Sequence, residues 1–441
     1  YVMRVTPLDE DGTLIPNDLG ELAEFYPGAR LMIRDAASPQ ANETDVTSRL
    51  FDGLIDVRDL SVSPDGRQLL FALREPEIED ADEDEQPTWN IWLLDKETGA
   101  VNRVIINDLV AEEGQDIQPT FLPDGRILFV SNRQRQSLAR LLDEGKPQFT
   151  PQEEESRQAD AYAIHVMNAD GTEIRQITFN MSHDLWPQVM ADGTVLFLRW
   201  DAKAAANEFN LYRITPDGRQ VSIMFGGHSH DVENPDQVWS RPRVLTDGRV
   251  LLAQRPLESA NWSISPILFD ITNFSDLNQP LPGFGGTAEA EALPVSFSSD
   301  VEQASAAGRL AALTPLLDGT GRYIAAYSSC RLRRETGTTF FPCTDDNLAN
   351  ESLIEAAPSY GLWIVDPYDA TQRPVRIAQV GEMITDVAVL RAGIASVALA
   401  DGQPGLDLDQ DLYDRLSGVI DIRSVYDFAG VFTPLVEPPT G

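Results

Sequence analysis

The chain has 441 residues, 34 basic against 70 acidic, and a net charge of −36. A surface of that sign is repelled by a phosphate backbone and by anionic lipid, which argues against nucleic acid and acidic membrane surfaces as partners. Hydrophobic residues make up 42% and aromatic residues 8%, enough for a large core, and no run reaches the roughly 18 uncharged apolar residues of a membrane helix, so no membrane insertion is expected.

The basic side is almost all arginine: Lys96, Lys146 and Lys203 are the only lysines. An acidic, lysine-poor surface stays hydrated, and salt screens its self-repulsion. A salt-exposed setting is expected, with arginine-biased codon usage as the alternative.

Tyr1, with no Met and no signal pattern before it, reads as the start of a processed chain. Residues 1–29 read as an N-terminal extension. Beyond them one phrase recurs: an extended apolar run, an Asp-Gly turn, then a second apolar run. It appears as Ser61-Val-Ser-Pro-Asp65-Gly66 before Leu69–Phe71, and as Thr120-Phe-Leu-Pro-Asp124-Gly125 before Ile127–Val130. It returns at Asp192-Gly193, at Asp247-Gly248 and, more loosely, at Asp318-Gly319. Asp-Gly suits a tight hairpin turn, because Gly accepts positive φ and Asp tolerates it. The flanking β-branched and aromatic residues make strands.

Most of these hairpins lead into another. Trp89–Asp95 turns at Lys96–Gly99, Ala163–Asn168 at Asp170-Gly171, Asn210–Thr215 at Asp217-Gly218 and Gly361–Asp366 at Asp369–Gln372. Two hairpins in succession make a four-stranded antiparallel blade. Such blades stack around an axis, since one alone leaves both faces bare. The turns are 59, 68, 55 and 71 residues apart, against about 40–50 in compact propeller repeats, so the excess sits in loops.

The expected fold is therefore all-β: a six-bladed β-propeller of four-stranded antiparallel blades over residues 30–400, with seven blades as the alternative. The closing blade is assembled from both ends of the chain. Arg30–Arg34 and Val46–Phe51 meet Ile384–Leu390 and Ile394–Leu399 there.

Several segments fall outside the blades. Glu75–Glu85 carries eight acids in eleven residues and reads as a solvated loop, with a calcium loop as the lesser alternative. Residues 134–158 form an excursion with a short helix around Ser137–Leu142. Residues 277–309, rich in Gly, Pro, Ala and Ser, read as a long loop. Residues 401–441 read as a tail, or a linker to a further domain. Cys330 and Cys343, the only cysteines, stand 13 positions apart. They suit one disulfide hairpin, worth about 3 kcal/mol, and an oxidising compartment; two free thiols are the alternative.

The Ser-Pro-Asp-Gly and Leu-Pro-Asp-Gly phrases, with Pro119 and Pro187 upstream of their turns, resemble the periplasmic TolB-type propeller repeat, which is WD40-like. A narrower resemblance runs from about residue 50 to residue 270. Glu113–Ile127, Ser131–Ser137, His165–Gly171, Asn180–Pro187, Leu198–Asp201, Asn210–Arg213 and Gly227–Asp231 together resemble a bacterial family related to the hydrazine synthase alpha subunit. The resemblance implies an exported protein, a propeller as its middle part, and often a following domain with covalent c-type haem; Ser424–Gly430 looks like the start of that continuation. This chain departs from the pattern at one point: it holds no Cys-x-x-Cys-His, so it cannot attach c-type haem by itself.

All four histidines lie between positions 165 and 230. His183-Asp184 and His230-Asp231 repeat one dipeptide a blade apart, and His228 alternates with His230. Imidazole and carboxylate together could hold Zn²⁺ or another divalent ion; the alternative is His and Asp hydrogen-bonding the neighbouring blade. Asp407, Asp409 and Asp411 have the opening spacing of a calcium loop, yet Leu412 stands where the sharp-turn Gly belongs and Gly418 where the closing Glu belongs. No Gly-x-Ser-x-Gly elbow surrounds Ser182 or Ser229, and Pro282–Gly286 lacks the Lys and helix of a phosphate loop. Trp89, Trp92, Trp200 and Trp363 read as blade packing.

The functional expectation is a non-enzymatic exported propeller. It serves as a binding or docking scaffold within a larger redox assembly, in the periplasm or at the cell surface. Its partners are proteins, such as a c-type cytochrome or an envelope complex. Two alternatives stay open: an enzyme module resembling the hydrazine synthase alpha subunit with haem supplied from elsewhere, and a TolB-like adaptor holding a peptide at the channel mouth.

Overall fold

The computed structural model describes residues 1–417 apart from 83–84, 135–138, 140–141, 144, 146–160, 181–182, 204–205, 228, 231–236, 294–296, 300–303, 337–338 and 416. The chain is all-β, and its main framework is six four-stranded antiparallel sheets. The second sheet runs Asp56–Val62, Gln68–Arg74, Trp89–Asp95 and Val101–Arg103. The third runs Asp116–Phe121, Ile127–Ser131, Ala163–Met167 and Arg175–Gln176. The fourth runs His183–Val189, Val195–Lys203, Ala206–Ile214 and Ser222–Phe225. The fifth runs Gln237–Val244, Val250–Pro256, Ser265–Phe269 and Glu289–Glu291. The sixth runs Arg309–Pro315, Tyr323–Ser328, Gly361–Asp366 and Thr371–Arg376.

The first sheet joins the two ends of the chain, in the order Glu382–Asp386, Val2–Val5, Ala29–Arg34 and Glu43–Asp45. Three sequence expectations change here. Val2–Val5 is a strand rather than part of an extension, because Val2 and Met3 are buried. Ile394–Leu399 is not a strand; it runs irregularly and half-exposed over the ends of other sheets. The outer strand is Glu43–Asp45 rather than Val46–Phe51. The loop expected at 277–309 supplies Glu289–Glu291 as the outer strand of the fifth sheet. Most of the helix expected around Ser137–Leu142 lies outside the described residues.

The Asp-Gly turns form as the residue pair demands, in a four-residue version rather than the two-residue one. Gly66 N–H donates to the Ser63 carbonyl at 2.9 Å, Asp65 accepts from Arg67 N–H at 3.1 Å, and Gly66 takes φ +74°. This is a type I turn with glycine at its last position. Apolar residues facing out of each sheet then pack on the next. Leu70, Trp89, Phe129, Phe197, Phe225 and Phe269 belong to one core that runs through the second to fifth sheets. Leu251 and Leu310 join the fifth sheet to the sixth, Met3 and Leu362 the sixth to the first, and Leu31 and Phe71 the first to the second.

Outside this framework, Cys330 and Cys343 form a disulfide with their Cα atoms 5.9 Å apart. It staples a three-stranded side sheet of Phe340–Pro342, Arg331–Arg334 and Leu353–Glu355.

Candidate functional site

Each sheet contributes its first strand to a common centre, and four of those strands carry the same irregularity. The ladder register slips between Arg58 and Ser61, across from Leu128 and Val130, between Leu185 and Gln188, and between Ser240 and Arg243. At the slip stand Asp59, Gln118, Trp186 and Arg241, with φ of 60°, 51°, 50° and 49°. Non-glycine residues seldom adopt this left-handed conformation. A β-bulge re-aims the side chain it carries, and here all four line the same two small hollows together with Asp386.

Two residues further along each strand lies a second layer: Ser61, Thr120, Gln188, Arg243 and Thr314. These line a cavity of about 190 Å³ to which all six sheets contribute, the first through Val387–Val389 just beyond its strand. The rest of the wall is mainly apolar, with Leu60, Val62, Phe121, Val189, Val244 and Leu316, and Ser63, Arg391 and Ser396 add polar groups.

The polar centre is largely self-satisfied. Asp386 accepts from Leu60 N–H at 3.0 Å and from Val387 N–H at 2.8 Å. Asp59 accepts from Gln118 N–H at 3.2 Å, and the Arg58 guanidinium is 3.6 Å from it. Burial pushes the Asp59 carboxyl up, with Arg58 opposing. Arg241 reaches the carbonyls of Ala311 and Thr385 at 3.5 and 3.4 Å. Arg243 lines the larger cavity, and burial pushes its guanidinium pKa down, with Asp386 opposing.

Both ends of this centre are covered by the chain itself. At one end lie residues 14–26. Trp262 Nε1 donates to the Ile15 carbonyl at 2.8 Å, Leu19 N–H to the Leu257 carbonyl at 3.0 Å, and Trp89 Nε1 to the Ala23 carbonyl at 2.9 Å. Asn17–Asp18 pairs with Glu258–Ser259. The buried Arg4–Asp56 ion pair at 2.8 Å anchors the end of this segment, Arg4 donating to the Tyr26 carbonyl and Asp56 accepting from Tyr26 N–H.

At the other end residues 387–402 cross the Asp-Gly turns. Gly393 N–H donates to the Pro64 carbonyl at 3.1 Å and Val397 N–H to the Ala191 carbonyl at 3.2 Å. Asp401 accepts two bonds from Arg126, at 3.0 and 2.9 Å, and one from Arg175 at 3.2 Å. Gly402 N–H donates to Asp217 at 2.8 Å.

The histidine-rich motifs take other places. Successive residues of a strand face opposite sides of the sheet, and His183 and Asp184 do so. His183 Nδ1 accepts from Tyr162 N–H at 3.0 Å, and its ring lies 5.1 Å from that of Trp200. Asp184 is fully buried and holds Arg199 through two bonds of 2.7 and 3.0 Å. His230 Nε2 lies 2.8 Å from Asn210 Oδ1, its ring against Trp239. His228, Asp231 and Ser182 lie outside the described residues. Asp407 accepts from Gln403 N–H at 3.2 Å, Asp409 caps the short helix Gln410–Asp414, and Asp411 is exposed. Among the described residues no group of three or more His, Cys, Asp or Glu side chains is placed to hold a metal ion. The inward-facing residues were missed by motif reading. They stand four and six positions before the Asp of each Asp-Gly turn, a register that the repeat itself supplies.

No known family profile matches the chain, and no curated protein is significantly similar to it. Among solved structures, the hydrazine synthase of Kuenenia stuttgartiensis superposes with a TM-score of 0.53 at 11% identity, over 85% of this chain and 45% of that one. The chain thus spans less than half the length of that protein, and the likeness bears on fold alone. TolB from Agrobacterium tumefaciens gives a TM-score of 0.28 at 18% identity, over 41% of this chain and 51% of its own. An oligogalacturonate lyase in complex with manganese gives 0.36 at 12% identity, over 80% and 86%.

Proposed function

We propose that the chain is a closed six-bladed β-propeller that works as an exported binding and docking scaffold rather than as an enzyme. The observation behind this reading is a cavity lined by residues from all six sheets, with the chain's own segments across both ends. Closure through a sheet made from both ends of the chain gives a rigid body with no free gap between blades. Such a body presents its rim and turns to partners. The disulfide supports export to an oxidising compartment.

The partner class is an assembly containing a c-type cytochrome, and its support is the motif resemblance. A TolB-like adaptor role needs a peptide to displace one of the two covering segments. The enzyme reading needs haem from another domain or subunit, since this chain holds no Cys-x-x-Cys-His. The test is retention of envelope proteins on the immobilised chain, followed by haem staining. A retained c-type cytochrome supports the scaffold reading, and retention of only haem-free proteins overturns its redox part. Purified alone, the chain is expected to lack a Soret band.

A further inference from the structure

We propose that the cavity beneath residues 387–402 binds a small organic carboxylate, with the anionic end on the Arg243 guanidinium. Among the described residues the Arg243 side chain has no hydrogen bond and no ion pair, although it lines the cavity half-buried. Of the other arginines around the centre, Arg391 on the covering segment lines the same cavity from its exposed side, and the rest are committed. Arg4 is paired with Asp56, Arg58 lies beside Asp59 and over the Trp89 ring, and Arg241 reaches two carbonyls. A guanidinium that faces a small cavity with no protein partner has its natural bidentate match in a planar carboxylate.

The nearest carboxylates do not fill that role. Asp386 and Asp59 sit one layer deeper, each bound to backbone N–H groups. Their two charges offset those of Arg241 and Arg243, and Arg391 on the cavity wall is left to balance one negative charge, which favours a monoanion over a dianion such as phosphate. Size and wall composition narrow the class further. About 190 Å³ falls below the roughly 300 Å³ from which pockets for drug-sized ligands begin. The wall of Val62, Phe121, Val189 and Val244 suits an apolar body, and the mutually hydrogen-bonded Ser61 and Thr120 add hydroxyl groups. Access lies through residues 387–402, an irregular segment fastened to the turns by few bonds. This site is independent of what docks on the outer rim, so its failure leaves the scaffold reading standing.

The test is isothermal titration of the full 441-residue chain with acetate, propionate and benzoate at fixed ionic strength, with benzyl alcohol and inorganic phosphate as controls. At least one carboxylate is expected to bind saturably, and benzyl alcohol and phosphate are not. R243Q should weaken that binding about tenfold or more, as loss of a charged hydrogen-bonded pair does. V189F, which keeps Arg243 but fills the cavity, should abolish it; a thermal melt of each variant checks folding. No saturable binding of any carboxylate, equal binding of phosphate, or undiminished binding by folded R243Q or V189F overturns the proposal.

Discussion

The carbonyl oxygen of Val397 lies 2.2 Å from the point where a β-carbon on Gly193 would stand. The Asp-Gly turn therefore serves twice: its glycine takes φ +83° to close the hairpin, and its bare face seats the segment that crosses the cavity. Gly125, at the same place in the neighbouring turn, has φ +91° and nothing within 4 Å. The pair separates the two roles. Gly125→Ala is expected to cost only the conformational term, about 1–2 kcal/mol. Gly193→Ala should cost about 1–3 kcal/mol more, because backbone must move. Urea unfolding of both variants measures the difference; equal losses would mean that the crossing segment does not rest on this turn.

Legibility in the sequence followed how local the signal was. Asp65-Gly66 and its repeats mark hairpins within a dozen residues, so the second, third, fourth and sixth sheets could be read directly, but only the first hairpin of the fifth. The first sheet pairs Met3 with Ile384, and no turn connects strands so far apart. Ile394–Leu399 has strand-like composition, yet it pairs with no strand among the described residues, and it became the cover. Arg243 and Asp59 looked like ordinary polar positions in alternating strands; only the shared register of the repeats places them at one centre. His183 and Asp184 drew attention as a dipeptide, but pleating sends them to opposite faces.

Acid should destabilise the fold through His165. Its ring is buried against Phe129, with Nε2 2.8 Å from the Arg133 carbonyl. Burial brings its pKa from 6.5 down to about 4; the Ala163 carbonyl opposes this, and the charge of Arg133 adds to it. A base with a depressed folded pKa contributes stability that is present above 6.5 and lost as pH falls toward 4. At about pH 5 the loss is about 2 kcal/mol relative to neutral pH. His165→Gln should lose that much less between about pH 7.5 and 5 in urea midpoint-derived stability. An unchanged slope would show that another group carries the dependence.

The disulfide should matter locally. Cys330–Cys343 closes a short loop in the side sheet, which is tied to the sixth sheet by the Arg309–Glu355 pair at 2.5 Å. A loop of that size is worth about 3 kcal/mol in the chain-entropy model. The double change Cys330→Ser and Cys343→Ser is expected to raise protease cleavage within residues 331–352 while the main unfolding transition and far-UV spectrum persist. Loss of the whole fold would make the side sheet part of the cooperative core.

Asp184 offers the sharpest choice between an ion pair and a metal ligand. Its two oxygens hold Arg199, whose guanidinium also lies over the Tyr212 ring at 4.7 Å. Removing the charge leaves a largely buried cation uncompensated, which costs about 3–5 kcal/mol. Asp184→Asn should therefore melt well below the wild type, and neither chelator nor added zinc should shift either protein. Substituting Arg199 as well, with a Met of similar length, should recover part of the loss, since the stranded charge is then gone. If zinc instead raises the wild-type melting temperature and Asp184→Asn removes that rise, the carboxylate is a metal ligand and the ion-pair reading fails.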